Sequence, residues 1–360
     1  MIIITFKMSR THDGHHASSP FGNPFKLIFS KGQNRSPKLL TLLSSFEQSL
    51  AENIRKLKPN DATNIPSLLW LRQAVDALLE SHNKLKALIF DLEFPASVWD
   101  EKWIELYLDD SLKLLDVCIA LISEVSRLEQ HQILLRYALQ ISDVSRLEQL
   151  QRADEALHDW TQKLHFRNSK LENAPFILLG MVGALSLPKV KNSPKGKVLT
   201  RALYAVKVEM MFISSVLVAV FSGCSKPLID MQVPNDFLWA DAFNDLQTIV
   251  YNELRSRLFL DKLLILKELG EVDACSKQLH GMMVIIIQKD DEKEVARDNN
   301  VDEARRRYGK QISVLNKGAL YLANELELLG KKLNDFFELI MLGRDGLLAS
   351  LRTSDDCRKQ

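Results

Sequence analysis

From Pro37 onward, apolar positions recur at steps of three or four. Leu39, Leu43, Phe46, Leu50, Ile54 and Leu57 share one face of a helix that Ser36-Pro37 opens and Pro59 closes. A second amphipathic helix opens at Ser67 after Pro66, carries Leu71, Ala74, Leu78, Leu85, Leu88 and Leu92, and ends before Pro95. Ser97-Val98-Trp99-Asp100 reads as the next helix start, because a serine oxygen and an aspartate can satisfy free backbone N–H groups. The long segment after it runs through Trp103, Leu106, Leu114, Ile119, Ile122, Val125 and Leu128 toward Ile141. Leu150, Ala153, Leu157, Trp160 and Leu164 mark a fourth helix. Asn235-Asp236 caps another through Trp239, Phe243, Leu246, Val250, Leu254 and Leu258, continuing through Leu264-Ile265-Leu266. Met282 to Ile287 is apolar and strand-like in composition but isolated, and reads as a buried helix end. The final helices carry Leu315, Leu322, Leu326, Leu329, Leu333, Phe336, Phe337, Ile340 and Leu347. The pattern predicts an all-α fold, an elongated multi-helix bundle of long amphipathic helices.

Two nonapeptides are nearly identical, ISEVSRLEQ at 122–130 and ISDVSRLEQ at 141–149. At about 100° per residue, their offset leaves the copies out of phase on a continuous helix, and two copies are too few for a solenoid. The spacing predicts a helix break at Ser142-Asp143, with Ser145 and Glu148 capping the next helix.

At the centre, the segment 173–187 is uncharged and apolar, and a second uncharged stretch covers 210–225. Between them lie Lys189, Lys191, Lys195, Lys197, Arg201 and Lys207, with no acidic residue between Glu172 and Glu209. Neither stretch reaches the roughly 20 apolar residues of a transmembrane helix. Both read as buried core helices; clustered cations beside an apolar helix also suit anionic lipid, which keeps a membrane reading open. Ser193-Pro194 looks like a helix start, and Lys195 and Lys197 then sit where the helix dipole disfavours cations. With free N–H groups beside them, Lys189, Lys191, Lys195, Lys197 and Arg201 form a candidate anion or partner site.

Composition narrows the reading. The 360 residues are 46% hydrophobic, and 47 Lys plus Arg against 46 Asp plus Glu leave a net charge of +1. No global basic field is available for nucleic acid, so no nucleic-acid partner is expected. Cys118, Cys224, Cys275 and Cys357 are widely spaced and fit a reducing compartment. The apolar run Ile2 to Phe6 is too short for a signal peptide, while the acid-free segment 14–46 faintly resembles an organellar transit peptide. The organisation expected is a disordered or targeting tail over 1–36, a single helical domain over 37–352 with a polar linker near 289–307, and a disordered tail over 353–360.

The chain contains no GxGxxG, GxxxxGK[ST], HExxH or GxSxG motif. His12, His15 and His16 sit in a polar tail with nothing to orient them on a metal, and no cofactor or metal is expected. Asp100-Glu101 and Asp109-Asp110 are adjacent pairs that diverge on a helix and make poor acid–base partners. Trp99 and Trp103 are four apart and predict a packing anchor.

Several segments resemble the plant BYPASS proteins: Pro20-Phe21-Gly22-Asn23-Pro24-Phe25-Lys26; Asp91-Leu92-Glu93-Phe94-Pro95 with Trp99-Asp100-Glu101-Lys102-Trp103; the stretch from Leu187 to Val208, LPKVKNSPKGKVLTRALYAVKV; and Leu342-Gly343-Arg344-Asp345 with Leu347-Leu348. The similarity spans about Pro20 to Arg352. The extra Met1 to Lys7 and the SRLEQ duplication depart from it. The resemblance implies a plant regulator of root and shoot development that restrains a root-derived mobile signal arresting shoot growth, and it implies no catalytic residue. The alternative is a peripheral-membrane helical adaptor in secretory traffic that meets an anionic surface or partner helices through the central basic segment. The expected setting is intracellular, membrane-associated or at the endoplasmic reticulum, with cytoplasm or chloroplast as the alternative.

Overall fold

A computed structural model describes residues 36–61, 64–94, 101–143, 146–164, 168–187, 190, 193–259, 266–291 and 299–358. The expected N-terminal tail, its histidines, Trp99 and the Ser97 and Ser145 caps lie outside these residues. The described residues form α1 (Pro37–Lys56), α2 (Leu68–Leu92), α3 (Glu101–Ile141), α4 (Leu147–Leu164), α5 (Ala174–Gly183), α6 (Pro194–Ser222), α7 (Ala240–Phe259), α8 (Lys267–Asp291) and α9 (Asn299–Arg358). A single 3-10 turn at Ser169–Leu171 joins α4 to α5, and no strand is present among the described residues.

Local signals account for most boundaries. Ser67 Oγ accepts from Trp70 N and caps α2. The face Leu150, Ala153, Leu157, Trp160 and Leu164 of α4 is buried, as its spacing requires. α3 ends at Ile141, where the second nonapeptide begins, while the first copy is helical throughout. The copies differ only in Glu124 against Asp143. Glutamate is the better helix former, and aspartate competes for backbone hydrogen bonds and favours helix ends.

One hydrophobic core runs through all nine of these helices. α9 packs along α3, α8 and α2, and α2 in turn packs on α6. Most of α6 is buried on every side: 22 of its 29 residues are inaccessible, which leaves no polar face to pattern. Its C-terminal half abuts an aromatic group in which Phe212 meets Phe243 edge-on at 5.5 Å and Trp239 meets Phe243 at 5.7 Å. Gly223 then ends the helix at φ 62°, a left-handed cap that glycine adopts without steric cost.

Four expectations need correction. The basic segment and the second apolar stretch are one 29-residue helix, long and apolar enough by length and composition to cross a membrane, yet 89% of its apolar window is buried in the bundle. α7 starts at Ala240 and not at Asn235, because Asp236 is drawn to Arg201, and it stops at Phe259; Leu266 is a bend that precedes α8. Within α8, Met283 and Ile286 are buried but Ile285 is exposed, so the isoleucine run is an ordinary half-buried face. Helix occupies part of the expected linker, since α8 reaches Asp291 and α9 begins at Asn299, and α9 continues past Arg352 to Arg358.

Candidate functional site

The sequence-selected cations divide. Lys189 and Lys191 lie outside the described residues. Lys195 is half-buried and donates to the Glu93 carbonyl at 3.3 Å, tying the start of α6 to the end of α2. Lys197 is also half-buried. Ser193 Oγ accepts from Gly196 N and Ser193 O from Lys197 N, so the first turn of α6 already satisfies donors that an anion would need. Arg201 is not a surface cation at all. Its guanidinium is buried and donates to the Glu47 carboxylate on α1, to Asp236 Oδ2 at 2.7 Å and to the Asp236 carbonyl, and it stacks 3.9 Å over the Phe237 ring. Glu47 Oε2 accepts in turn from Leu238 N, so the buried guanidinium meets its carboxylate partners inside the protein and not an outside anion.

A different site emerges where α2, α3, α6 and α9 meet. An inner chamber of about 130 Å³ and an outer cleft of about 690 Å³ share His82, Leu85, Tyr107, Leu203 and Leu339 in their walls. The outer cleft adds Ile89, Phe90, Phe94, Leu342 and Leu347 and is mainly apolar. The inner chamber adds the polar groups Asp110, Ser111, Thr200 and Lys207. Lys207 and Asp110 pair at 2.5 Å, both largely buried, so the lysine with the most apolar neighbours in sequence faces the interior.

Three of the segments that carry the resemblance converge here through their described residues. Glu93 and Phe94 end α2 at the cleft rim, and Glu93 takes the left-handed conformation at φ 46°. Leu203, Tyr204 and Lys207 of the basic segment form one wall. Gly343 permits α9 to pass close to α3: a Cβ there would lie 2.8 Å from Tyr107 Oη. Arg344 then reaches across to the Leu108 carbonyl and to Ser111 Oγ at 3.1 Å. Spacing alone could not have joined these segments, because each pairing bridges helices distant in the chain.

Burial controls the titratable groups. It lowers the pKa of His82, against a smaller opposing effect of its bond to the Leu78 carbonyl, so the imidazole is neutral. It raises the Tyr107 phenol, with Arg344 opposing. Next to the chamber, burial pushes Glu209 up to about 8; the Glu80 charge adds to this, while the Ser81 hydroxyl opposes it without making a full hydrogen bond to either carboxyl oxygen. Glu209 is therefore a protonated carboxylic acid at neutral pH.

Comparison with known proteins gives consistent relatives. A family profile described as Protein ROH1-like matches residues 27–174. UPF0496 protein 4 of Oryza sativa subsp. japonica is 37% identical over 98% of this chain and 99% of its own length. Protein BPS1, chloroplastic, of Arabidopsis thaliana is 39% identical over 96% of this chain and 94% of its own. A UPF0496 protein 4 from the indica subspecies is 48% identical over 76% of this chain and 61% of its own. No solved structure matches.

Proposed function

Because the chain belongs to the plant BYPASS family of developmental regulators, we propose that it acts without chemistry, restraining production of a root-derived mobile signal that arrests shoot growth. The observation that carries this reading is the extent of the similarity, 39% identity over nearly the full length of both this chain and Protein BPS1, chloroplastic. The names of the relatives carry no catalytic activity. In the cleft, Lys207 is held by Asp110, Arg344 by Leu108 and Ser111, and His82 by Leu78, an arrangement suited to binding rather than bond making. The test is a graft. Wild-type shoots on roots lacking this protein should arrest, and normal growth of those shoots would overturn the reading.

A specific surface favours a second reading, the peripheral-membrane adaptor. Phe176 and Leu179 of α5 are 60% and 50% exposed, and Lys226 lies 5.2 Å from the Phe176 ring. An apolar helix face beside cations suits an anionic bilayer surface, where each cation contributes about 1 kcal/mol. Lys226→Glu should then weaken binding to phosphatidylserine vesicles about tenfold. Absence of wild-type binding at low salt removes this reading. The name of the Arabidopsis relative and the acid-free segment 14–46 support a chloroplast address, which a fluorescent fusion of the full chain tests directly.

A further inference from the structure

We propose that the cleft between α2, α3, α6 and α9 is a binding site for a small neutral lipophilic alcohol, its hydrocarbon body in the outer cleft and its hydroxyl in the inner chamber. This goes beyond the regulatory reading and does not depend on it. The outer volume, about 690 Å³, falls within the range of small-molecule sites, roughly 300 to 1,000 Å³, and its walls are mainly aliphatic and aromatic, with Lys86 and Glu93 among them.

The polar end of the ligand is set by the atoms that still seek a partner. A carbonyl only accepts, so His82 must donate Nδ1–H to the Leu78 oxygen at 2.9 Å, which leaves Nε2 as a bare acceptor. The His82 ring lines both the inner chamber and the outer cleft. The Thr200 hydroxyl, also in the wall of the inner chamber, is buried and has no partner among the described residues. Its neighbours in the wall offer no net charge, because Lys207 and Asp110 neutralise each other, and burial keeps the imidazole uncharged. A carboxylate in the inner chamber would lose its hydration beside a lysine already held by Asp110, whereas a hydrocarbon would offer the imidazole acceptor no donor. A hydroxyl can donate to the His82 acceptor, the one hydrogen bond that the assignment requires.

The assignment can be tested with the purified full chain and the fluorophore N-phenyl-1-naphthylamine as reporter. Saturable, one-to-one fluorophore binding is expected, with displacement by farnesol about tenfold better than by farnesene, the difference of one buried hydrogen bond. Farnesoic acid at pH 7 should displace less well than farnesol. Gly346→Phe should reduce fluorophore binding at least about tenfold, since position 346 is on the cleft rim with open space around a new side chain and phenylalanine is a better helix former than glycine. Circular dichroism then shows the fold intact. His82→Phe should bring farnesol and farnesene within about twofold of each other. Lack of saturable binding, or binding that Gly346→Phe leaves unchanged, overturns the site. An acid that outcompetes the alcohol, or an alcohol preference that survives His82→Phe, overturns the ligand class. The graft experiment reads none of these quantities, so either result can fail while the other stands.

Discussion

The Arg201 guanidinium on α6 donates through Nε to the Glu47 carboxylate on α1, although 154 positions separate them, and both side chains are almost wholly out of solvent. Removing one partner leaves the other charged and buried. Arg201→Met should therefore destabilise the protein by about 3 to 5 kcal/mol. The double variant Glu47→Leu with Arg201→Met should lose much less than the sum of the single losses. A double-mutant cycle by urea denaturation measures this, and additive losses would show that the pair is not coupled.

Val216 has no exposed surface and lies in the buried C-terminal half of α6. Val216→Asp places a carboxylate among aliphatic side chains, at a cost on the order of 4 kcal/mol or more. The expected outcome is loss of the cooperative thermal transition or aggregation. A variant that stays folded and loses only membrane association would show that α6 serves the bilayer.

Glu209 makes stability depend on pH. Its folded-state value, about 8, lies above the ordinary carboxylate value of 4.5, so the folded protein binds the proton more tightly than the unfolded chain does. Its contribution is fully present below about 4.5, falls as pH rises through the folded-state value, and is gone above it, with an upper bound of roughly 4 to 5 kcal/mol at about 1.36 kcal/mol per unit. Glu209→Gln should flatten this slope between pH 5 and 8.5 in denaturation midpoints. An unchanged slope would place the proton elsewhere.

Gly196 sits in the first turn of α6, where a Cβ would come 2.9 Å from Ser193 Oγ and 3.2 Å from Val190 Cγ1. Replacing a helical glycine with alanine ordinarily gains about 1 kcal/mol. Here Gly196→Ala should instead lower the melting temperature, because it displaces the serine that caps the helix, worth about 1 kcal/mol by itself. A raised melting temperature would mean that the cap shifts without cost.

Much of this architecture was legible because helical periodicity is a local property. The buried face of α4, the Ser67 cap and the break after Ile141 all arise from residues within one or two turns. The basic segment misled for the opposite reason. Whether Arg201 and Lys207 meet solvent or a carboxylate depends on Glu47, Asp236 and Asp110, which arrive from other helices and leave no trace in the local pattern. The cleft was invisible in the same way, since its wall joins His82, Tyr107, Leu203 and Gly343 from four helices. The resemblance did point to its segments, but not to their meeting.

α9 follows α2, α3 and α8 in the chain and covers all three. A ribosome adding about 5 to 20 residues per second needs roughly 13 to 53 seconds between finishing α2 and finishing α9. During that interval the nascent chain presents Leu78, Leu85 and Leu121 without the Leu326, Leu333 and Phe336 layer that joins them in the finished core. Vectorial synthesis thus completes the cover of α2 and α3 late, and a premature stop before α9 would leave the faces that α9 covers without their partner.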